Sequence, residues 1–193
     1  MKMDELDLAG TYTYEEYLKW TFWECLEIIN RGIFKTSPTR RHQDISMKVS
    51  NRIFNCLKGK NWSTYTAPTD VRLSPLKRKI RPGKTYKVVQ PDIFVVCDFE
   101  KLDDQGCTGA PDVIIEILSL GNSKKEMRNK FELYQENGVR EYIIINPMKK
   151  NIFQYLLNED GIFVEFHESV QGGILASLIL PGFEMLVGEI FAD

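Results

Sequence analysis

Two runs of β-branched and apolar residues fill the middle of the chain, Val88–Cys97 (VVQPDIFVVC) and Val113–Leu118 (VIIEIL). Strands so uniformly apolar are covered on both faces, which requires helices or a second layer on each side of a sheet. Each run has a Pro-Asp pair, Pro91-Asp92 inside the first and Pro111-Asp112 at the mouth of the second. After the second run, Ser119–Gly138 reads as a helix, with Ser123 and Glu126 as a capping box and Gly138 as its stop. Its buried stripe is Met127, Phe131 and Tyr134. The strand Tyr142–Asn146 follows, ended by Pro147. Strand, helix and strand make a βαβ unit with right-handed crossover.

The flanking segments read less sharply. In Tyr14–Ile29 the first half looks helical, and Cys25–Ile29 opens a strand. Asn30–Thr39 reads as a loop with Gly32 and Pro38. His42–Leu57 is an amphipathic helix, with Ile45, Val49, Ile53 and Leu57 four residues apart and Gly59 as its stop. Ser63–Ala67 and Val71–Leu73 are short strand candidates, and Lys77–Lys87 is a basic loop or hairpin turning at Pro82-Gly83. Asp98–Ala110 reads as a polar loop. Ile152–Leu157 and Ile162–Phe166 form a hairpin, and the tail Leu178–Phe191 packs back on the core. The expected fold is α/β: a mixed β-sheet flanked by helices, one domain over residues 1–193 with an N-terminal helical extension over about 1–30.

No apolar run approaches the roughly 18 residues that would cross a bilayer, and the acidic N-terminus lacks a secretory pattern. A cytoplasmic location and no membrane partner are the expectation. Cys25, Cys56, Cys97 and Cys107 form no C-x-x-C pair and only two histidines are present, which argues against zinc sites. A reducing cytosol argues against disulfides. Cys25, Cys56 and Cys97 read as core filler.

The net charge of −2 hides a separation: Arg31–Lys87 holds fifteen Lys or Arg and only two acids, Asp44 and Asp70. These charges either scatter over solvated faces or form a basic face for a polyanion. Arg40, Arg41, Lys77, Arg78, Lys79, Arg81 and Lys84 are the candidate nucleic-acid contacts, with Lys87 beside them.

Glu116 is the residue that points to chemistry. It stands inside Val-Ile-Ile-Glu-Ile-Leu, and an unpaired buried carboxylate costs several kcal/mol. It therefore needs either a structural cation partner or a role as a metal ligand or acid–base group. Asp92, opening a neighbouring strand, is a second carboxylate, and the pair suits Mg²⁺, with Mn²⁺ as an alternative. Lys130 lies roughly 60° from the centre of its helix's apolar stripe. It either snorkels on a half-exposed face or reaches the strand ends. Lys124 and Lys125 compete for that role. Two carboxylates, a metal and a lysine form a set for phosphodiester hydrolysis. Asp112 shares a face with Glu116 but lies about 13 Å away along the strand, so it reads as structural before co-ligand and stands as a secondary candidate.

The chain resembles a family of small restriction-endonuclease-like proteins, abundant in cyanobacterial genomes, within the PD-(D/E)XK nuclease superfamily. The resemblance rests on RRHQDIS at Arg40–Ser46, VVQPDIFVVCD at Val88–Asp98 and GAPDVIIEILS at Gly109–Ser119, with KFELYQENGVREYIIINP at Lys130–Pro147 and LPGFEM at Leu180–Met185. It implies a nuclease-type sheet, with Asp92 as first metal ligand and Glu116 as the acid of the second motif. The superfamily's usual lysine, two residues after that acid, is replaced by Leu118, and Lys130 on the following helix is the match. His42 and Gln90 fall in matching stretches and are secondary candidates. A core histidine and a strand-edge cap are their alternative roles. Tyr134 is a further secondary candidate.

Two functions are expected from this pattern. One is a Mg²⁺-dependent endonuclease acting on DNA, with a homodimer as the means of cutting both strands. The other is an inactive relative that binds nucleic acid or a protein partner, since phosphate contacts give affinity without chemistry. Convergence of Asp92, Glu116 and Lys130 on one point discriminates them.

Overall fold

The structure is a computed structural model that describes residues 6–7, 10, 12–20, 26–29, 32–35, 38–73, 87–119, 124–170 and 172–192. In chain order its elements are α1 (Tyr14–Tyr17), β1 (Leu26–Ile29), β2 (Gly32–Lys35), α2 (Arg40–Leu57), β3 (Ser63–Thr66), β4 (Asp70–Leu73), β5 (Lys87–Val89) and β6 (Ile93–Val96). A 3₁₀ turn (Phe99–Lys101) leads into β7 (Leu102–Asp103), β8 (Gly106–Thr108) and β9 (Val113–Ile117). Then follow α3 (Lys124–Asn137), β10 (Glu141–Asn146), β11 (Asn151–Leu157), β12 (Phe163–Ser169), β13 (Ile174–Ala176), β14 (Glu184–Leu186) and α4 (Val187–Phe191).

The expected mixed α/β domain is present, but it holds two six-stranded sheets where the sequence suggested one. Their orders are β2-β1-β5-β4-β8-β7 and β12-β11-β10-β9-β6-β3. In the second sheet β9 and β10 run parallel, joined through α3, and the remaining pairs are antiparallel. One face of that sheet carries Ile93, Val95, Val113, Ile115, Ile143 and Ile145, buried against α2 and the C-terminal tail. The other carries Phe94, Ile114, Tyr142 and Ile144, packed on Leu133 and Tyr134 of α3 and on Ile29, Val71 and Val89 of the first sheet.

Several expectations are corrected. The run Val88–Cys97 is two strands in different sheets, because Pro91 has no N–H for a ladder and holds its predecessor away from regular pairing. The chain crosses between sheets at Gln90-Pro91-Asp92. The Asn30–Thr39 loop contains β2, paired with β1, and the Asp98–Ala110 loop contains the β7–β8 hairpin. Gly106 makes the second possible: at φ 133° its Cα lies so close to Asp70 that a Cβ would stand 2.1 Å from the Asp70 carbonyl oxygen. The N-terminal helical extension reduces to one described turn of helix, α1, while β1 belongs to the first sheet. On α3 the buried residues are Lys130, Leu133, Tyr134 and Asn137, so Met127 is not at the centre of the stripe and Lys130 is. Cys107, not counted among the core cysteines, is fully buried, and burial pushes its thiol up to about 11. Cys56 and Cys97 are half-buried free thiols; Cys25 and Ser123 lie outside the described residues.

Candidate functional site

β6 and β9 pair antiparallel with Ile93 opposite Ile115, so continuing the register by one residue sets Asp92 opposite Glu116. Directly opposed residues share a face with Cβ atoms about 5 Å apart. The face is the one covered by α3 and the first sheet, and side chains from both reach it. Lys130 Nζ lies 3.0 Å from Glu116 Oε1 and 2.9 Å from Glu27 Oε2. The Tyr134 hydroxyl donates to Glu116 Oε1 at 2.6 Å. His42, in the first turn of α2 on the opposite layer, sets Nε2 3.1 Å from Asp92 Oδ2, which also accepts from the Ile117 N–H at 2.7 Å. The Thr39 hydroxyl caps α2 by accepting from the His42 N–H.

The three principal candidates from the sequence are thus drawn together, with His42 and Tyr134 touching them. Glu27 was not anticipated. It is fully buried on β1, and the Gln90 N–H donates to its Oε1 at 2.9 Å. The signal was available: an acid inside Leu-Glu-Ile-Ile is the same anomaly as Glu116 inside its own apolar run. Gln90 lies one step back from the acids, its side-chain amide donating to Asp70 Oδ1 at 2.9 Å and to the Tyr17 hydroxyl at 3.1 Å.

Three carboxylates, Glu27, Asp92 and Glu116, therefore surround one ammonium and one imidazole. Burial pushes the Glu116 carboxyl up to about 8; the charges of Asp92 and Glu27 add to the rise, and Lys130 and Tyr134 oppose it. Burial alone would discharge Lys130, but Glu116 and Glu27 hold its ammonium well above the ordinary lysine range. Burial likewise would lower His42, yet the Asp92 bond and the charges of Asp92 and Glu116 outweigh it and raise the imidazole. A carboxyl raised by burial and then by the charges of neighbouring carboxylates marks a place that gains from an added cation.

The donor set fits a hard divalent ion. Glu116 Oε1 and Asp92 Oδ2 are occupied, whereas the second oxygen of each carboxylate has no protein partner among the described residues. Both side chains keep a little exposure, 10% for Glu116 and 16% for Asp92. No group of three His, Cys, Asp or Glu among the described residues encloses a metal by itself. Two oxygens from the protein, with water and a phosphate completing the shell, is the arrangement Mg²⁺ favours.

Asp112 plays the corresponding structural part at the other end of the strand pair. Its Oδ2 accepts from the Cys97 N–H at 2.9 Å, as Asp92 accepts from Ile117, but its Oδ1 is taken by Arg140 at 3.0 Å. Burial would raise Asp112; the Cys97 and Arg140 bonds overcome that and keep it below the usual carboxylate range. Each Pro-Asp pair thus pins the far end of the neighbouring strand, and only the first faces a second acid.

The basic candidates divide. Arg40 is exposed and paired with Asp44 at 2.6 Å. Arg41 donates to the Phe191 carbonyl at the end of α4, and Lys48, Arg52 and Lys60 reach the carbonyls of Ala192, Glu184 and Pro181. Lys87 pairs with Glu136 at 3.2 Å. Lys77, Arg78, Lys79, Arg81 and Lys84 lie outside the described residues. No described helix is long and apolar enough to cross a membrane.

A family profile described as "Uma2: Putative restriction endonuclease" matches residues 14–188, a span that contains every member of this cluster. The chain belongs to the Uma2 family. Among curated proteins this Uma2 chain is similar to an uncharacterized protein of Synechocystis sp., 26% identical over 151 residues that make up 76% of this chain and 75% of the relative. Among solved structures it is similar to a protein of Anabaena variabilis described as "a putative nuclease belonging to DUF820". That likeness has a TM-score of 0.73 at 17% identity and covers 94% of the Uma2 chain and 98% of the other. It establishes the fold.

Proposed function

We propose that this protein is a Mg²⁺-dependent endonuclease, able to use Mn²⁺, that hydrolyses phosphodiester bonds in DNA. The reading is carried by one observation: Asp92 and Glu116 face each other across β6 and β9, each with a carboxylate oxygen unengaged among the described residues, and Lys130 stands against Glu116. Asp92 and Glu116 would hold the cation. When bound, the metal polarises the phosphate and makes a coordinated water a stronger nucleophile.

The chain's own residues supply the rest. The ammonium of Lys130, in surroundings of low dielectric, offsets negative charge growing on the phosphate. Tyr134 fixes one Glu116 oxygen, which leaves the other to face the cation. His42 holds Asp92 from the opposite layer and can carry a proton at Nε2. α2 begins beside Asp92, and α3 begins at Lys124, beyond the end of β9 that carries Glu116. Two positive helix ends at this end of the sheet, one from each face, favour an anionic ligand. Cutting both strands of a duplex needs two such sites, which a two-fold homodimer supplies.

The test is cleavage of plasmid and single-stranded DNA with Mg²⁺ or Mn²⁺, comparing the parent with Glu116→Ala. Metal-dependent cutting that vanishes in the variant supports the assignment. A folded parent that never cuts yet binds DNA would leave the fold as a recognition module.

A further inference from the structure

Glu27 is a fully buried carboxylate with no part in the proposed hydrolysis, on a different sheet from the acid pair. Its contacts are specific. One oxygen accepts from the Gln90 N–H at 2.9 Å, and Gln90 is the residue from which the chain crosses into the second sheet toward Asp92. The other oxygen lies 2.9 Å from Lys130 Nζ. Lys130 is thus forked between Glu27 and Glu116, at nearly equal distances.

A lysine with Glu116 as its sole acid would compete with any cation for that carboxylate. Pairing in a dry site is strong, and each ion left unpartnered there costs several kcal/mol. A second acid changes the balance. With Glu27 holding the ammonium, Glu116 can turn its charge to a metal without stranding Lys130. The Gln90 bond in turn fixes Glu27, so the anchor does not follow the lysine.

We propose that Glu27 is a positioning residue: it holds Lys130 so that Glu116 is free to ligate the divalent cation. The inference rests on the reading of Asp92 and Glu116 as the cation's ligands. It makes two substitutions act in opposite directions. Glu27→Gln leaves Lys130 with Glu116 alone and weakens metal binding by about tenfold or more, the usual scale for a group that orients a ligand. Lys130→Met removes the competitor and tightens it. In the Lys130→Met background, Glu27→Gln has little left to act on.

The experiment is Mn²⁺ titration by calorimetry, without DNA, on the parent, the two single variants, the double variant and Glu116→Ala. The amide of Glu27→Gln keeps an oxygen for the Gln90 N–H, and thermal melts check that each variant is folded. Should Glu27→Gln melt early, Glu27→Asp keeps the charge while drawing it back by one methylene, and its loss of affinity is expected only while Lys130 is present. A loss that is seen with Lys130 in place and disappears in the Lys130→Met background is the expected result. An equal loss in both backgrounds makes Glu27 a ligand itself and overturns the proposal, as does no loss in either. A parent that binds no Mn²⁺ overturns the metal site and the proposal together. Binding that depends on Glu116 and not on Glu27 overturns the proposal alone.

Discussion

Glu116 shows how one side chain can carry both a stability cost and a site. Its carboxyl is raised from an ordinary 4.5 to about 8, so the folded state binds a proton more tightly than the unfolded one. Stability from that proton is full below about pH 4.5 and is lost as pH rises through 8. His42, raised from 6.5, acts in the same direction: its contribution is full below that value and disappears as pH rises through the folded pKa. Urea unfolding of metal-free protein should therefore show stability falling between about pH 4.5 and about pH 8. Glu116→Gln should flatten most of that slope, and saturating Mg²⁺ should reverse it. His42→Gln should lessen the slope only above pH 6.5, where Glu116 still contributes.

At the scale of elements, the two Pro-Asp pairs separate by their second oxygen. Asp112→Asn weakens its tie to Arg140 and the clamp on Cys97, and should lower stability by about 1–3 kcal/mol with Mn²⁺ affinity unchanged. Asp92→Asn should lose metal affinity as well. Chemical denaturation beside metal titration distinguishes them. The basic face of α2 gives a second contrast. Arg41 binds the last carbonyl of α4, where a cation also meets the negative end of the helix. Arg41→Ala should lower stability by about 1 kcal/mol and leave DNA affinity within about twofold. Arg40→Ala, at an exposed ion pair, should leave stability unchanged and weaken DNA binding, as read by a salt-dependent filter or anisotropy assay.

For the whole molecule, the tail is part of the core. Leu175, Leu180, Phe183, Met185, Val187, Ile190 and Phe191 are buried in the layer under α2. The buried Glu141 ties the tail to the sheet, accepting from Gln154 and from the Ser177 hydroxyl, which in turn accepts from the Leu180 N–H at 2.8 Å. Seven side chains at about 1.5–3 kcal/mol each match or exceed the roughly 5–15 kcal/mol by which a domain is stable. A chain ended after Gly172 should be insoluble or lack near-UV circular dichroism, although every candidate site residue remains in it.

Local patterns were legible because they need only neighbours in sequence. The period of α2, the apolar runs of β6 and β9, the βαβ unit around α3 and the hairpin of β11 and β12 all declare themselves by spacing. Glu116 was legible for the same reason, as a charge where a charge is costly. Tertiary structure decided what depends on residues far apart in sequence. It assigned β5 and β6 to different sheets, brought Glu27 from the first strand to share Lys130 on α3, and set Arg41, Lys48, Arg52 and Lys60 against the tail's carbonyls. A sequence states which groups must find partners. Which partner each finds is settled only when two sheets and two helices close on one another and the cost of an unpaired buried charge selects among the arrangements.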